Sequence, residues 1–97
     1  MKKGYFIFFF IFVFFTLSLS GCYYFSAKKE IGNAEKLLSE LKGAGGEKQV
    51  PYEYCSAEGF LQVSKVEFSQ GDFGPAKGLA ERSKSAAQAG LAEIKKK

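Results

Sequence analysis

The sequence contains no histidine, no tryptophan and only two cysteines. Histidine is the side chain that most often transfers protons near neutral pH, so its absence argues against general acid–base catalysis. The thiol of Cys55 therefore has no histidine partner, which nucleophilic cysteine catalysis usually requires. These shortages argue against an enzyme.

Other common sites are missing from the sequence as well. Gly43-Ala44-Gly45-Gly46 lacks the Lys-Ser/Thr pair that completes a phosphate-binding P-loop. The acidic side chains have no metal-ligand clustering and are explained as solvated helix faces. They include Glu30, Glu35, Glu40, Glu53, Glu58 and Glu67. We therefore predict no catalytic residue, no cofactor and no metal site.

The charge distribution argues against nucleic acid as a partner. The formal net charge is +4 and the pI is about 9.1. This excess comes from the two ends of the chain, Lys2 and Lys3 at one and Lys95 to Lys97 at the other. Between them the charges nearly balance and the signs are interspersed, which is not the basic patch that binds phosphate backbones.

The first 22 residues have the parts of a secretory signal. Lys2 and Lys3 precede an apolar run, Gly4 to Leu19, that contains seven phenylalanines. Small residues, including Ser20 and Gly21, follow it. The alternative is an uncleaved transmembrane helix, but a span needs roughly 20 apolar residues and this run is shorter.

Leu19-Ser20-Gly21-Cys22 resembles the lipobox of bacterial lipoproteins at every position. The resemblance implies that the Cys22 thiol receives a diacylglyceryl group and that the chain is cut between Gly21 and Cys22. Residues 1–21 would then be the signal peptide and residues 22–97 a lipid-anchored domain, with the membrane as a partner. The alternative is an ordinary signal peptide with a chance cysteine.

The residue after the lipobox indicates which membrane would hold the protein. Many lipoproteins kept at the inner membrane have aspartate there, whereas this chain has Tyr23. The resemblance therefore implies a place in the bacterial envelope, at the outer membrane and facing the periplasm. Tyr23, Tyr24 and Phe25 also suit a membrane interface, where aromatic rings settle. Alternatively, they are the apolar start of a helix.

The spacing of apolar residues predicts three helices in residues 22–97. In the first, over 26–42, the apolar face is Ala27, Ile31, Ala34, Leu38 and Leu41. Ser26 is a candidate N-cap, and the glycines after Lys42 end the helix before a linker that reaches Val50.

The second predicted helix covers 51–70, with Pro51 at its first position. Its stripe is Tyr54, Ala57, Leu61, Ser64 and Phe68. Gly71 ends this helix.

The third predicted helix covers 72–94, with Asp72 as its N-cap. Its stripe is Phe73, Ala76, Ala80, Ser83, Ala87, Gly90 and Ile94. Because most of these residues are small, neighbouring helices can approach closely. We expect Phe68 and Phe73 to turn inward against Ala76 and Ala80.

The segment from Phe68 to Ala76 resembles the inter-helix segment of a tetratricopeptide repeat, aromatic-x-x-Gly-Asp-aromatic-x-x-Ala. Residues 51–90 as a whole resemble a family of small envelope lipoproteins of unknown function. The predicted fold is therefore all-α: an N-terminal signal helix, then a small antiparallel three-helix bundle whose last two helices form a tetratricopeptide-like hairpin. The helical-pair core would be Tyr54, Ala57, Leu61, Phe68, Gly71, Asp72, Phe73, Ala76 and Ala80.

Residue type predicts the burial of two further side chains. Free cysteine is among the most buried residues, so Cys55 is expected to be buried, the alternative being a disulfide between two chains. Lys84 is expected to be exposed, like other solvated helix charges.

These patterns suggest two non-enzymatic functions. The first is a helical protein-interaction or accessory scaffold module, anchored at Cys22 and bound to another envelope protein. The second is a structural tether between the outer membrane and peptidoglycan. The C-terminal lysines, Lys95 to Lys97, make the chain similar to the major outer-membrane lipoprotein family, in which such a lysine is joined to peptidoglycan. A solvated helix end is the plainer explanation of these lysines.

Overall fold

A computed structural model describes the backbone of residues 2–97 and the side chains of residues 4–15 and 23–97. It has four helices: α1 (Lys2–Gly43), α2 (Gly46–Gln49), α3 (Pro51–Ser69) and α4 (Phe73–Lys96). The described backbone contains no strand, so the predicted all-α class is confirmed. The side chains of the lipobox, Leu19, Ser20, Gly21 and Cys22, lie outside the described residues.

Helix α1 is one unbroken helix of 42 residues, which makes the molecule 71 Å long. A separate helix starting near Ser26 was therefore a wrong prediction, because the preceding residues are helical too and need no cap. Residues 4–15 are exposed throughout, with Phe8 at 75%. Among the described side chains, the first fully buried one is that of Ala27. No helix in the described part of the chain combines the length and the hydropathy of a membrane span.

Residues 23–97 pack against one another and are called the helical body below. Helices α3 and α4 run antiparallel, since Ser64 contacts Ala76 and Ser83 contacts Ala57. The second half of α1 lies against both of them. It is parallel to α4, as contacts at Glu30–Lys84 and near Leu41 and Gly90 show.

The turn between α3 and α4 is a Schellman motif. Gly71 has φ +84°, a left-handed conformation that suits glycine because it has no Cβ. The Asp72 amide donates to the Glu67 carbonyl over 2.9 Å, and the Gly71 amide donates to the Phe68 carbonyl over 3.1 Å. Asp72 occupies the N-cap position of α4, but its side chain makes no capping hydrogen bond, contrary to expectation. Its backbone carbonyl instead accepts from the Ala76 amide.

Small residues line the contact between α3 and α4. Ala57, Ala76 and Ala80 are completely buried, and so are Ser64 and Ser83. The Ser64 hydroxyl donates to the Ala76 carbonyl over 2.5 Å, and the Ser83 hydroxyl donates to the Ala57 carbonyl over 2.6 Å. Each buried hydroxyl is therefore satisfied by the backbone of the opposite helix, which avoids a desolvation cost of about 1–3 kcal/mol.

The larger buried side chains collect at the end of the helical body near α2. This aliphatic end consists of Leu41, Val50, Tyr54, Ala57 and Ala87. Leu37, Leu38, Ala86, Leu91 and Ile94 are partly buried against it. The segment 44–50, expected to be a linker, contains the single turn of α2 because Gly45 adopts φ +83° and reverses the chain there.

Leu41 is the central side chain of the aliphatic end and is fully buried. A Cβ added at Gly46 would lie 2.5 Å from the Leu41 side chain and 2.8 Å from its carbonyl oxygen. A Cβ added at Gly90 would lie 3.0 Å from Leu41. Two glycines therefore leave the space that this leucine fills.

Candidate functional site

Aromatic rings from three helices meet at the other end of the helical body. The Tyr24 ring lies 5.2 Å from Phe68, 5.2 Å from Phe73 and 5.4 Å from Phe25, measured between centroids. Phe68 and Phe73 are 5.2 Å apart. Three of the four pairs are edge-on, an arrangement that aromatic rings prefer. We call these four residues, with Tyr23, the aromatic end.

Each helix contributes to the aromatic end for a local reason. The Schellman turn at Gly71 reverses the chain, so Phe68 at the end of α3 and Phe73 at the start of α4 become neighbours. Helix α1 continues past Cys22 and places Tyr24 beside both rings. The aromatic end therefore begins at the residue next to the proposed lipid attachment.

Much of the aromatic end is open to solvent. Phe25 is 70% exposed and Tyr23 is 50% exposed, whereas Phe68 and Phe73 are half-buried. Phe68 and Phe73 were expected to turn inward against Ala76 and Ala80 as core residues, but the two rings are only partly buried. They lie at the edge of the body, where both rings pack on Tyr24 and on each other and stay partly exposed.

A shallow groove of about 360 Å³ opens beside these rings. It is lined by Tyr23 from α1 and by Gly71, Phe73 and Gly74 from the turn and the start of α4. The two glycines are exposed, and a Cβ added at either would meet no atom within 4 Å. At these two glycines the surface of the groove is therefore backbone, which another molecule could contact directly.

Two carboxyl groups lie at the aromatic end. A hydrogen bond with Asp72 raises the pKa of Glu67, and desolvation and the charge of Asp72 act in the same direction. Glu67 lies near the C-terminus of α3, and Asp72 lies at the N-cap of α4. On α1, Lys28 and Lys29 are exposed just beyond the aromatic residues.

The other predicted core residues occupy two kinds of position. Tyr54, Ala57, Leu61, Ala76 and Ala80 are buried between the helices. Gly71 and Asp72 are exposed in the turn.

The phenol of Tyr54 has a pKa raised above its usual value. Burial is the main cause, and a hydrogen bond to the Glu58 carboxylate adds to it. Tyr54 is therefore a neutral core residue of the aliphatic end.

Two expectations based on residue type were wrong. Cys55 is exposed rather than buried, because it lies one position past Tyr54 and so points away from the buried stripe of α3. Lys84 is only 31% exposed, and its ammonium lies 3.1 Å from the Glu30 carboxylate of α1. A second ion pair, Lys65–Glu35 at 2.7 Å, is exposed and links α3 to α1.

The sequence did not predict the hydrogen bonds of Ser64 and Ser83 or the packing of Tyr24 on Phe68 and Phe73. The two serines lie on the predicted stripes at positions where a repeat motif prefers smaller apolar residues, and a hydroxyl on a buried stripe indicates a helix-to-backbone hydrogen bond. No sequence pattern indicated the packing of Tyr24, since its partners Phe68 and Phe73 are about 45 residues away along the chain.

Within the described residues, no group of three or more His, Cys, Asp or Glu side chains is arranged to hold a metal ion. The chain matches no protein-family model, no curated protein and no solved structure.

Proposed function

We propose that this chain is a non-enzymatic lipoprotein of the bacterial cell envelope, anchored through Cys22 and acting as a helical protein-interaction or accessory scaffold module. The lipobox sequence Leu19 to Cys22 supports the anchor. The tyrosine after it supports the outer membrane, on the periplasmic side. The lack of histidine supports a function other than catalysis.

One observation carries the proposal: the described side chains of α1 that precede the lipobox are exposed, and some of those that follow it are buried. Before it, residues 4–15 are exposed and apolar; after it, burial starts at Ala27 and continues through the helical body. Cleavage between Gly21 and Cys22 would therefore remove a segment whose described side chains are exposed. The packed part would keep its core and gain acyl chains, each methylene of which adds about 0.8 kcal/mol of membrane binding.

Mass spectrometry of the protein extracted from bacterial membranes tests the anchor. We expect a chain that starts at Cys22 and carries acyl groups, and an uncleaved, unacylated precursor for Cys22→Ser. Cys55→Ser is the matched control, since it removes the other thiol and should be processed normally. A start at any other residue, or a Cys22 without acyl groups, would overturn the proposal.

The interaction function rests on the arrangement of α3 and α4 and on what α3 exposes. The two antiparallel helices, their short turn and their small-residue contact are consistent with a tetratricopeptide-like hairpin, which the second half of α1 would complete as a three-helix bundle. On α3, Tyr52, Val63 and Val66 are 79%, 48% and 52% exposed. Exposed apolar side chains that share one helix face indicate a protein interface.

Site-specific substitution tests this interface. Val63→Asp should leave the helical content and the melting temperature of the purified protein nearly unchanged, because the side chain is exposed. It should remove any envelope protein that co-purifies with the acylated chain. Gln62→Asp, at the neighbouring exposed position, is the control. A partner retained by Val63→Asp as well as by Gln62→Asp would exclude this face.

A second function, the tether to peptidoglycan, is favoured by the direction of α4. Because α4 runs parallel to α1, from Phe73 beside Tyr24 to Gly90 beside Leu41, its end at Lys96 lies at the opposite end of the body from Cys22. Lys95 and Lys96 are exposed. The Lys97 ammonium donates to the Gln49 carbonyl over 3.0 Å, so this lysine is partly engaged.

Cell-wall sacculi boiled in detergent distinguish the two functions. A tether stays attached until the wall is digested, and deletion of Lys95 to Lys97 releases it. An interaction module leaves the sacculi on boiling, whether or not these lysines are present.

A further inference from the structure

The aromatic end is formed by tertiary structure and not only by the residues that follow Cys22. Phe68 and Phe73 come from α3 and α4, yet both pack on Tyr24 at 5.2 Å. Tyr23 and Phe73 line one groove with the glycines of the turn. A surface with this much exposed aromatic area in a small helical protein calls for a partner.

The position of this surface limits what the partner can be. The backbone of α1 is continuous through residue 22, and a helix rises about 1.5 Å per residue, so Tyr24 lies only about 3 Å beyond Cys22 along the axis. Because Phe68 and Phe73 are packed on Tyr24, the turn between α3 and α4 lies at the same level. Any bilayer that holds Cys22 therefore meets this turn as well.

The chemistry of the surface fits a lipid headgroup region. Tyrosine and phenylalanine rings at the boundary between water and hydrocarbon are typical of membrane-facing surfaces. Lys28 and Lys29 are exposed about one turn further along α1, within reach of lipid phosphates. The two acids at this end, Glu67 and Asp72, are hydrogen-bonded to each other.

From this arrangement we infer that the helical body docks on the bilayer through its aromatic end and stands upright on it. Tyr23, Phe25, Phe73 and the Gly71 turn enter the headgroup region, and α4 leads away from the membrane. The inference rests on the proposed attachment at Cys22 and adds to it a second, non-covalent contact and a fixed orientation.

Tryptophan reporters test the orientation, because the chain contains no tryptophan of its own. Gly74→Trp lies in the groove, where an added Cβ meets no atom within 4 Å. Ala92→Trp is the matched control, since residue 92 is also exposed. The two positions are separated by 18 residues of α4, about five full turns, so they share a face and differ by about 27 Å in height.

The acylated protein is purified from membranes and reconstituted in vesicles of phosphatidylethanolamine and phosphatidylglycerol, with and without brominated acyl chains. We expect brominated lipid to quench most of the emission of Gly74→Trp and little of that of Ala92→Trp. Equal quenching of both would mean that the body lies flat, and quenching of neither would mean that it is held away from the bilayer. Either result overturns the inference. If circular dichroism shows that Gly74→Trp loses helix, Phe73→Trp replaces it.

The same reporters separate this inference from the proposed function. They are also placed in the Cys22→Ser chain, which keeps the apolar residues 4–15 and can meet the vesicles through them. If mass spectrometry finds no acyl group on Cys22 of the native chain, but brominated lipid still quenches Gly74→Trp, the lipoprotein proposal is rejected and the docking surface is kept. An acylated Cys22 with an unquenched Gly74→Trp would reject the docking surface alone.

Discussion

The two ends of the helical body contain large side chains in different environments. At the aliphatic end, Leu41 is fully buried and Tyr54 is 8% exposed. At the aromatic end, Phe68 and Phe73 are larger than Leu41 but only half-buried. The aliphatic end is covered by α2 and the C-terminal turns of α4, whereas at the aromatic end Phe68 and Phe73 pack on Tyr24 and on each other and stay partly exposed. Stability should therefore depend mainly on the first end, and contacts with other molecules on the second.

The largest loss of stability is expected on substitution of Leu41. Leu41→Ala removes a fully buried side chain from between Gly46 and Gly90, and such changes cost about 2–5 kcal/mol of unfolding free energy. Phe68→Ala, at the aromatic end, should cost less, about 2 kcal/mol, because this ring is only partly buried. Circular dichroism melts of the purified protein in detergent compare the two. If Phe68→Ala lowers the melting temperature more than Leu41→Ala, the ranking of the two ends is wrong.

The next largest loss of stability is expected where α3 and α4 contact each other, in the region between the two ends. Ser83→Ala removes the 2.6 Å hydrogen bond to the Ala57 carbonyl and should cost about 1 kcal/mol, as should Ser64→Ala. Ser85→Ala, at an exposed position on α4, is the control and should change the melting temperature little. If Ser83→Ala and Ser85→Ala melt alike, the buried hydroxyl does not stabilise the pairing of α3 and α4.

A smaller effect is expected at Lys84, which links α4 to α1 between the two ends. Lys84→Ala leaves Glu30, which is 16% exposed, without its partner, and should cost about 0.5 kcal/mol. Lys65→Ala breaks an ion pair that is about half exposed and should cost less. Thermal melts at low and high salt should show that salt reduces the cost of Lys65→Ala more than that of Lys84→Ala, because an exposed ion pair is screened more than a partly buried one. Identical melts at low salt would contradict the partial burial of the Lys84 pair.

The sequence predicted the helical content and most helix ends because these depend on local chemistry. Gly43, Pro51 and Gly71 each lie within a residue or two of an observed boundary. Cys55 was assigned wrongly because its residue type favoured burial, although its place next to Tyr54 put it off the stripe. The helical periodicity therefore predicts the exposure of Cys55 better than its residue type does.

The aromatic end was not predictable in the same way. Tyr24 meets Phe68 and Phe73 only after α1 has packed along α4, and no local pattern specifies the register of that packing. Ser26 could not be recognised as an interior residue of α1, since a serine before an apolar stripe has the pattern of an N-cap. The pairing of Glu67 with Asp72 could not be predicted either, because it depends on the conformation of the turn between α3 and α4.

The smallest expected effect is at this acidic pair, and it affects only the aromatic end. The pKa of Glu67 is raised in the folded chain, chiefly by the hydrogen bond with Asp72. The folded state then binds a proton more tightly than the unfolded state, so this group favours folding at pH values below the usual pKa of glutamate. That contribution is lost as the pH rises through the raised pKa, and at neutral pH the two carboxylates repel each other. Glu67→Gln keeps a donor for Asp72 and removes the repulsion, so it should raise the melting temperature slightly at neutral pH and have little effect in acid. Glu81→Gln, exposed on α4, is the control. A Glu67→Gln shift that is the same at both pH values would show that the pair does not titrate in the folded protein, and the aromatic end would then owe nothing to proton binding.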